Sequence, residues 1–113
     1  MSIAYLSLGS NLGDRVGFVQ QATSLLSGDE KIKIVSTSSF YETEPWGMDS
    51  QNWFVNAVVE IKTSYSPMEL LLVCKKIELQ LGRSPQKSNN YQDWPIDIDI
   101  LFYNKDIIKD DNL

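Results

Sequence analysis

Asp97 and Asp99 are the residues whose type and spacing say most about chemistry. They stand in the run Pro95-Ile96-Asp97-Ile98-Asp99-Ile100-Leu101-Phe102. Alternation of apolar and polar residues predicts a strand, on which residues two apart share a face. The two carboxylates therefore point together, while Ile96, Ile98 and Ile100 point the opposite way. Two hard oxygen donors on a rigid element suit Mg2+, which takes one or two carboxylates and completes its shell with phosphate oxygens and water. The plainer alternative is a half-exposed edge strand with its polar side in water. Acids are poor strand formers and close carboxylates repel, so the pairing carries a cost that a function would explain.

Three further groups carry weaker signals. Thr43, Pro45 and Trp46 lie in the stretch YETEPWGMDSQN, and Phe54 and Asn56 follow it. An aromatic ring can stack on a flat heterocycle, and an Asn amide both donates and accepts along a heterocycle's amide-like edge. Equally, Phe54 can be a core residue and Asn56 can satisfy a nearby backbone group. Lys75 and Glu78 are three apart in a helical pattern and Arg83 follows it; a solvated charged face is the default reading of such a set. Gly9-Ser10-Asn11-Leu12-Gly13 is rich in turn residues. It has no Gly-Lys-Ser/Thr continuation and no full G-x-G-x-x-G pattern, so a tight turn explains it better than a phosphate cradle.

The elements that must position these residues can be read along the chain. Residues 3–8 predict a mostly buried strand. Asp14 can cap a helix carrying Val19, Ala22 and Leu25 or Leu26 at helical spacing, with an end at Ser27-Gly28-Asp29. Within it Gly17 is a poor helix former, costing about 1 kcal/mol relative to Ala. A second strand is expected over 33–40, a loop over 41–52, and a strong strand over 53–62. In that strand Trp53, Val55, Ala57, Val59 and Ile61 share one side, and Phe54, Asn56, Val58 and Glu60 the other. Ser66-Pro67-Met68-Glu69 combines an N-cap, a proline at the first helical position and the Glu of a capping box. Leu70, Cys74, Ile77 and Leu81 form the stripe of that helix, and Gly82 stops it. A polar loop over 83–92, a strand over 96–103 and a turn at 104–106 follow, and Ile107-Ile108 can begin another short strand. The order β-α-β-β-α-β is that of an α+β, ferredoxin-like antiparallel sheet.

Composition narrows the function classes. A chain of 113 residues makes one domain, 1–113. The net charge of -5 disfavours binding to nucleic-acid backbones, but not to ATP, whose charge a bound metal can offset. With no histidine, Ser-His-Asp and Cys-His catalysis are excluded. Cys74, the single cysteine, sits in an apolar helical pattern and reads as core; one cysteine forms no internal disulfide, which suits the cytoplasm. No apolar run approaches the roughly 20 residues of a membrane span.

Taken together, the segments A-Y-L-S-L-G-S-N-L, S-F-Y-E-T-E-P-W-G, F-V-N-A-V-V, I-E-L-Q-L-G-R and D-I-D-I-L-F resemble the hydroxymethyl-dihydropterin pyrophosphokinase family in order and spacing, over nearly the whole chain. The resemblance implies a ferredoxin-like fold and transfer of pyrophosphate from ATP to 6-hydroxymethyl-7,8-dihydropterin in folate biosynthesis, with two Mg2+ ions bridging ATP. It implies that Asp97 and Asp99 bind metal, with Asp97 also close to the pterin. Thr43, Pro45, Trp46, Phe54 and Asn56 match the pterin pocket, near which Gly9, Ser10 and Asn11 end the first strand. Lys75, Glu78, Arg83 and Ile100 fall on the ATP side, where Arg83 would add catalytic positive charge. Loops over 44–52 and 84–95 would close over the substrates.

The resemblance has two gaps. Where the family has a Trp-Gly-Pro-Arg-type run, this chain has Tyr91-Gln92-Asp93-Trp94-Pro95, which puts Trp94 in the place of a second catalytic arginine. Trp cannot replace a guanidinium on phosphate. The family also continues past the position of Leu113 with a Pro-His-containing segment, so the C-terminal part of the family fold is expected to be missing. A monomer is expected, with an exposed sheet edge as the route to a dimer. The alternatives are a family member that binds pterin or nucleotide without turnover, and an RNA-recognition module. The acidic charge and the paired Asp on the last strand argue against the second.

Overall fold

A computed structural model of the chain describes residues 1–44, 53–82 and 95–104, and the backbone of 106–107. Its elements are β1 (Ser2–Ser10), α1 (Arg15–Ser27), β2 (Ile32–Thr37), β3 (Tyr41–Thr43), β4 (Phe54–Thr63), α2 (Pro67–Gln80), β5 (Asp97–Tyr103) and β6 (Asp106–Ile107). The strands pair in the order β2-β4-β1-β5-β6, with β3 added on β4, and every pairing is antiparallel. This is the ferredoxin-like arrangement the sequence predicts.

Both helices pack on one face of the sheet. Alternation on β4 buries Val55, Ala57, Val59 and Ile61, and on β5 it buries Ile98 and Ile100. These meet Leu6 and Leu8 of β1, Val19, Ala22 and Leu26 of α1, and Leu70, Cys74 and Ile77 of α2 in one apolar cluster. The residues between them on each strand face away from the helices, toward a second face that is open among the described residues.

The helix starts are built as their residues predict. The Asp14 side chain accepts from the Gly17 amide at 3.1 Å. A Cβ on Gly17 would sit 2.3 Å from Asp14 Oδ2, so the poor helix former is what makes room for the cap. At α2, Ser66 Oγ accepts from the Glu69 amide at 3.2 Å and Glu69 Oε1 from the Ser66 amide at 2.8 Å. Such caps contribute about 1 kcal/mol each. Gly82, at φ +106, ends the helical segment in a conformation that L side chains rarely adopt.

Some boundaries differ from expectation. β1 runs through Gly9 and Ser10 instead of stopping at Leu8, because both residues keep their pairing to β4. The expected strand over 33–40 divides: Ser38 accepts from and donates to Val58, and the chain re-enters the sheet as β3, within what reads as a loop. Trp53, placed by alternation with the core, is 44% exposed and lies just before β4. The loop expected over 83–92 lies outside the described residues.

Cys74 is fully buried. Burial pushes its thiol up from its ordinary 9.0 to about 12, with the Glu78 charge adding to the effect. The folded chain therefore holds the neutral thiol after the unfolded chain has released its proton. The resulting stability is complete below about 9 and is lost as pH rises through about 12. Denaturant titrations across that range should show stability falling less in Cys74→Ala than in the parent chain.

Candidate active site on the open face of the sheet

Three strands bring the candidate residues into line. Gly9 of β1 pairs with Asn56 on one side and with Asp97 on the other. Two residues back, Ser7 pairs with Val58 and Asp99. Leu8 between them pairs with Ala57 and Ile98, which are buried under the helices. The rows through Gly9 and Ser7 therefore lie on the open face, with Asp97 half-buried and Asp99 exposed. The paired orientation predicted from the sequence is present.

On the β4 side, Asn56 Nδ2 donates to Thr43 Oγ1 at 2.8 Å and reaches Tyr41 O at 3.5 Å. That bond turns the amide so that Oδ1 lies over Gly9. A Cβ on Gly9 would stand 2.8 Å from Asn56 Oδ1 and 3.4 Å from Phe54 Cδ2. Gly9 is thus neither a turn residue nor part of a phosphate cradle. It is the bare floor between the Asn56 amide, the Phe54 ring and the Asp97 carboxylate. Thr43, Phe54 and Asn56 are brought together, and Phe54 is only partly buried, not a core residue.

The sequence reading missed Arg15. Its Nη1 donates to Trp53 O at 2.8 Å and its Nη2 is 4.0 Å from Glu42 Oε1, so the start of α1 clips the ends of β3 and β4 beside Phe54 and Thr43. No periodicity or motif signals a contact made across 38 residues of chain.

On the β5 side, Lys75 and Glu78 do pair, with Nζ 3.5 Å from Oε1. A solvated face does not describe them, because Glu78 is only 2% exposed. Its Oε2 accepts from the Ile98 amide at 2.7 Å. That amide points away from β1, so the backbone N–H of Ile98 faces the outer edge of β5. Among the described residues, β6 pairs with this edge at Phe102 and Tyr103. The Ile100 side chain is buried on the helical face, so a ligand contact at Ile100 falls to its backbone. Pro45, Trp46, Arg83 and Trp94 lie outside the described residues.

The donor set fits magnesium. Among the described residues no three His, Cys, Asp or Glu side chains gather as an all-protein cage. A pair of carboxylates on a rigid strand, facing a surface where phosphate and water can complete the shell, matches the preference of Mg2+. Among the described residues, no helix is long and apolar enough to cross a membrane.

The family profile for 7,8-dihydro-6-hydroxymethylpterin-pyrophosphokinase matches residues 5–111. The 2-amino-4-hydroxy-6-hydroxymethyldihydropteridine pyrophosphokinase of Porphyromonas gingivalis is 48% identical over 105 residues, 91% of this chain and 70% of that protein. The Bacillus subtilis protein of the same name is 41% identical over 112 residues, 99% of this chain and 66% of that protein. The chain thus spans about two thirds of the length of these relatives. Among solved structures, Plasmodium falciparum HPPK-DHPS with pteroate superposes with a TM-score of 0.66 at 21% identity, over 91% of this chain and 28% of that one, which supports the fold.

Proposed function

We infer the activity from one premise: the chain belongs to the 7,8-dihydro-6-hydroxymethylpterin-pyrophosphokinase family. Enzymes of this family use ATP with Mg2+ and pass pyrophosphate to hydroxymethyldihydropterin in folate biosynthesis. The reading for this chain is the same transfer, giving AMP and the pterin pyrophosphate. The observation that carries it is the row Asn56–Gly9–Asp97, with Asp99 one row on, which puts a side-chain amide and an acidic pair on one face of the sheet. Two strand spacings of about 4.8 Å separate the ends of that row. The pterin lies over Gly9 and a hydroxymethyl group projects toward β5.

Each residue then has a physical task. The Phe54 ring stacks on the pterin, and Asn56, oriented by Thr43, hydrogen-bonds its amide-like edge. Pro45 and Trp46 are assigned to the same pterin site by the family resemblance. Asp97 and Asp99 would hold the two Mg2+ ions, and Asp97 would also border the hydroxymethyl group. When bound with ATP, magnesium neutralises the triphosphate and aligns it. Arg83 adds positive charge to the phosphates, Lys75 lies on the same side, and Ile100 meets the adenine through its backbone.

The pterin's primary hydroxyl oxygen attacks the β-phosphorus of ATP. The new O–P bond forms as the bond to the α-phosphate oxygen breaks, AMP leaves with that electron pair, and the hydroxyl proton passes to solvent. Alignment and charge neutralisation supply most of the acceleration in such transfers. The reading also takes 1–113 as a single domain, monomeric and cytoplasmic, without nucleic-acid or membrane partners.

Trp94 in place of an arginine favours a second reading, binding without turnover. Mass analysis of a reaction with Mg-ATP and 6-hydroxymethyl-7,8-dihydropterin separates the cases. AMP with a pyrophosphorylated pterin supports the transfer, ADP with a monophosphorylated pterin refutes it, and bound but unchanged substrates support the second reading.

A further inference from the structure

Glu78 occupies a place where a carboxylate is expensive. It is on the buried side of α2 with Leu70, Cys74 and Ile77, and is 2% exposed. Removing an ionised carboxylate from water costs several kcal/mol unless partners repay it. The Cys74 thiol one turn back is raised chiefly by burial, and also by the Glu78 charge, against which Lys75 acts. A helix that needed only to pack on β5 would be served better by an apolar residue there.

Its partners show what it holds. One carboxylate oxygen lies 3.5 Å from Lys75 Nζ, whose side chain is 46% exposed, so the ammonium offsets charge from the rim. The other accepts the Ile98 amide at 2.7 Å. Ile98 is 1% exposed, and its amide points away from β1 at a stretch of β5 that no described strand covers. A buried amide without an acceptor would be destabilising. This amide belongs to the residue between Asp97 and Asp99. The peptide planes flanking Ile98 set where both Cβ atoms point, so an anchor on that amide fixes the pleat carrying the acidic pair.

We propose that Glu78 is a positioning residue for the acidic pair: from beneath the sheet it holds the Ile98 amide and so fixes the direction and separation of the Asp97 and Asp99 carboxylates. The proposal rests on the reading of those carboxylates as the magnesium–nucleotide site. It gives Glu78 no contact with the nucleotide, only with the strand that binds it. Partners that orient metal ligands from behind commonly change metal affinity by about 10–100-fold when removed.

The test uses calorimetric binding of Mg2+ with an ATP analogue in which methylene replaces the α,β-bridging oxygen, together with 6-hydroxymethylpterin binding measured separately. Glu78→Leu removes the acceptor and keeps a buried side chain; Glu78→Gln keeps an acceptor and removes the charge. Glu78→Leu should weaken the magnesium–analogue complex by at least about tenfold and leave pterin affinity within about twofold, and Glu78→Gln should recover most of the loss. Leu binding the complex as the parent chain does, or Gln failing as badly as Leu, overturns the proposal. Should Glu78→Leu not fold, exchange of the Ile98 amide decides: protection in the parent chain that is kept in Glu78→Gln supports the anchor, and a fast-exchanging amide in either chain refutes it. A parent chain that binds no magnesium–analogue complex at all defeats the pyrophosphokinase reading itself, which is a different result.

Discussion

Replacing Asp97 and Asp99 together by Asn is expected to lower turnover by at least roughly 10³-fold while leaving the fold intact. The two side chains are half-buried and exposed, and they share the open face one row apart. Asn keeps their size and strand geometry and removes both negative charges, so what is lost is the attraction for magnesium and the alignment of the phosphates. Stability should stay level or rise, because removing two neighbouring like charges relieves repulsion. Turnover with Mg-ATP and thermal melting of the same preparation check the two halves of the expectation. A variant that keeps more than about a tenth of parental turnover would show that the acidic pair does not carry the metal.

Gly9→Val is expected to weaken pterin binding by about two orders of magnitude and to affect magnesium–nucleotide binding far less. Even the first added carbon would stand 2.8 Å from Asn56 Oδ1 and 3.4 Å from Phe54 Cδ2. One of the two must move, and both are assigned to the heterocycle. Gly9 does not have a positive φ, and valine is a good strand former, so the backbone tolerates the change. The loss therefore reports on the pocket and not on strain in β1. Titration with 6-hydroxymethylpterin measures it, with Gly9→Ala expected in between. Affinity within about twofold of the parent for Gly9→Val would move the pterin off this floor.

Much of this site is written in local pattern. The alternation in D-I-D-I fixes which side each residue takes, and β5 places Asp97 and Asp99 accordingly. The capping box at Ser66 and the stop at Gly82 bound α2 for equally local reasons. Roles that arise from register are not written there. Gly9 reads as a turn glycine until β1 is seen to continue, with Asn56 and Phe54 beside it. Glu78 reads as a surface charge because spacing places it beside Lys75, but nothing local says that the Ile98 amide, 20 residues on, needs an acceptor. Arg15 escaped notice for the same reason. The short β3 is hidden because its partner lies beyond a stretch that carries Pro, Gly and Asp and has little periodicity.

The decisive measurement is AMP release from Mg-ATP by the parent chain, with and without 6-hydroxymethyl-7,8-dihydropterin. If the open face is one site for both substrates, AMP appears only when the pterin is present, one pterin pyrophosphate forms per AMP, and both vanish in the Asp97→Asn, Asp99→Asn chain. AMP release that ignores the pterin, or its absence from folded protein that binds both substrates, would contradict the account.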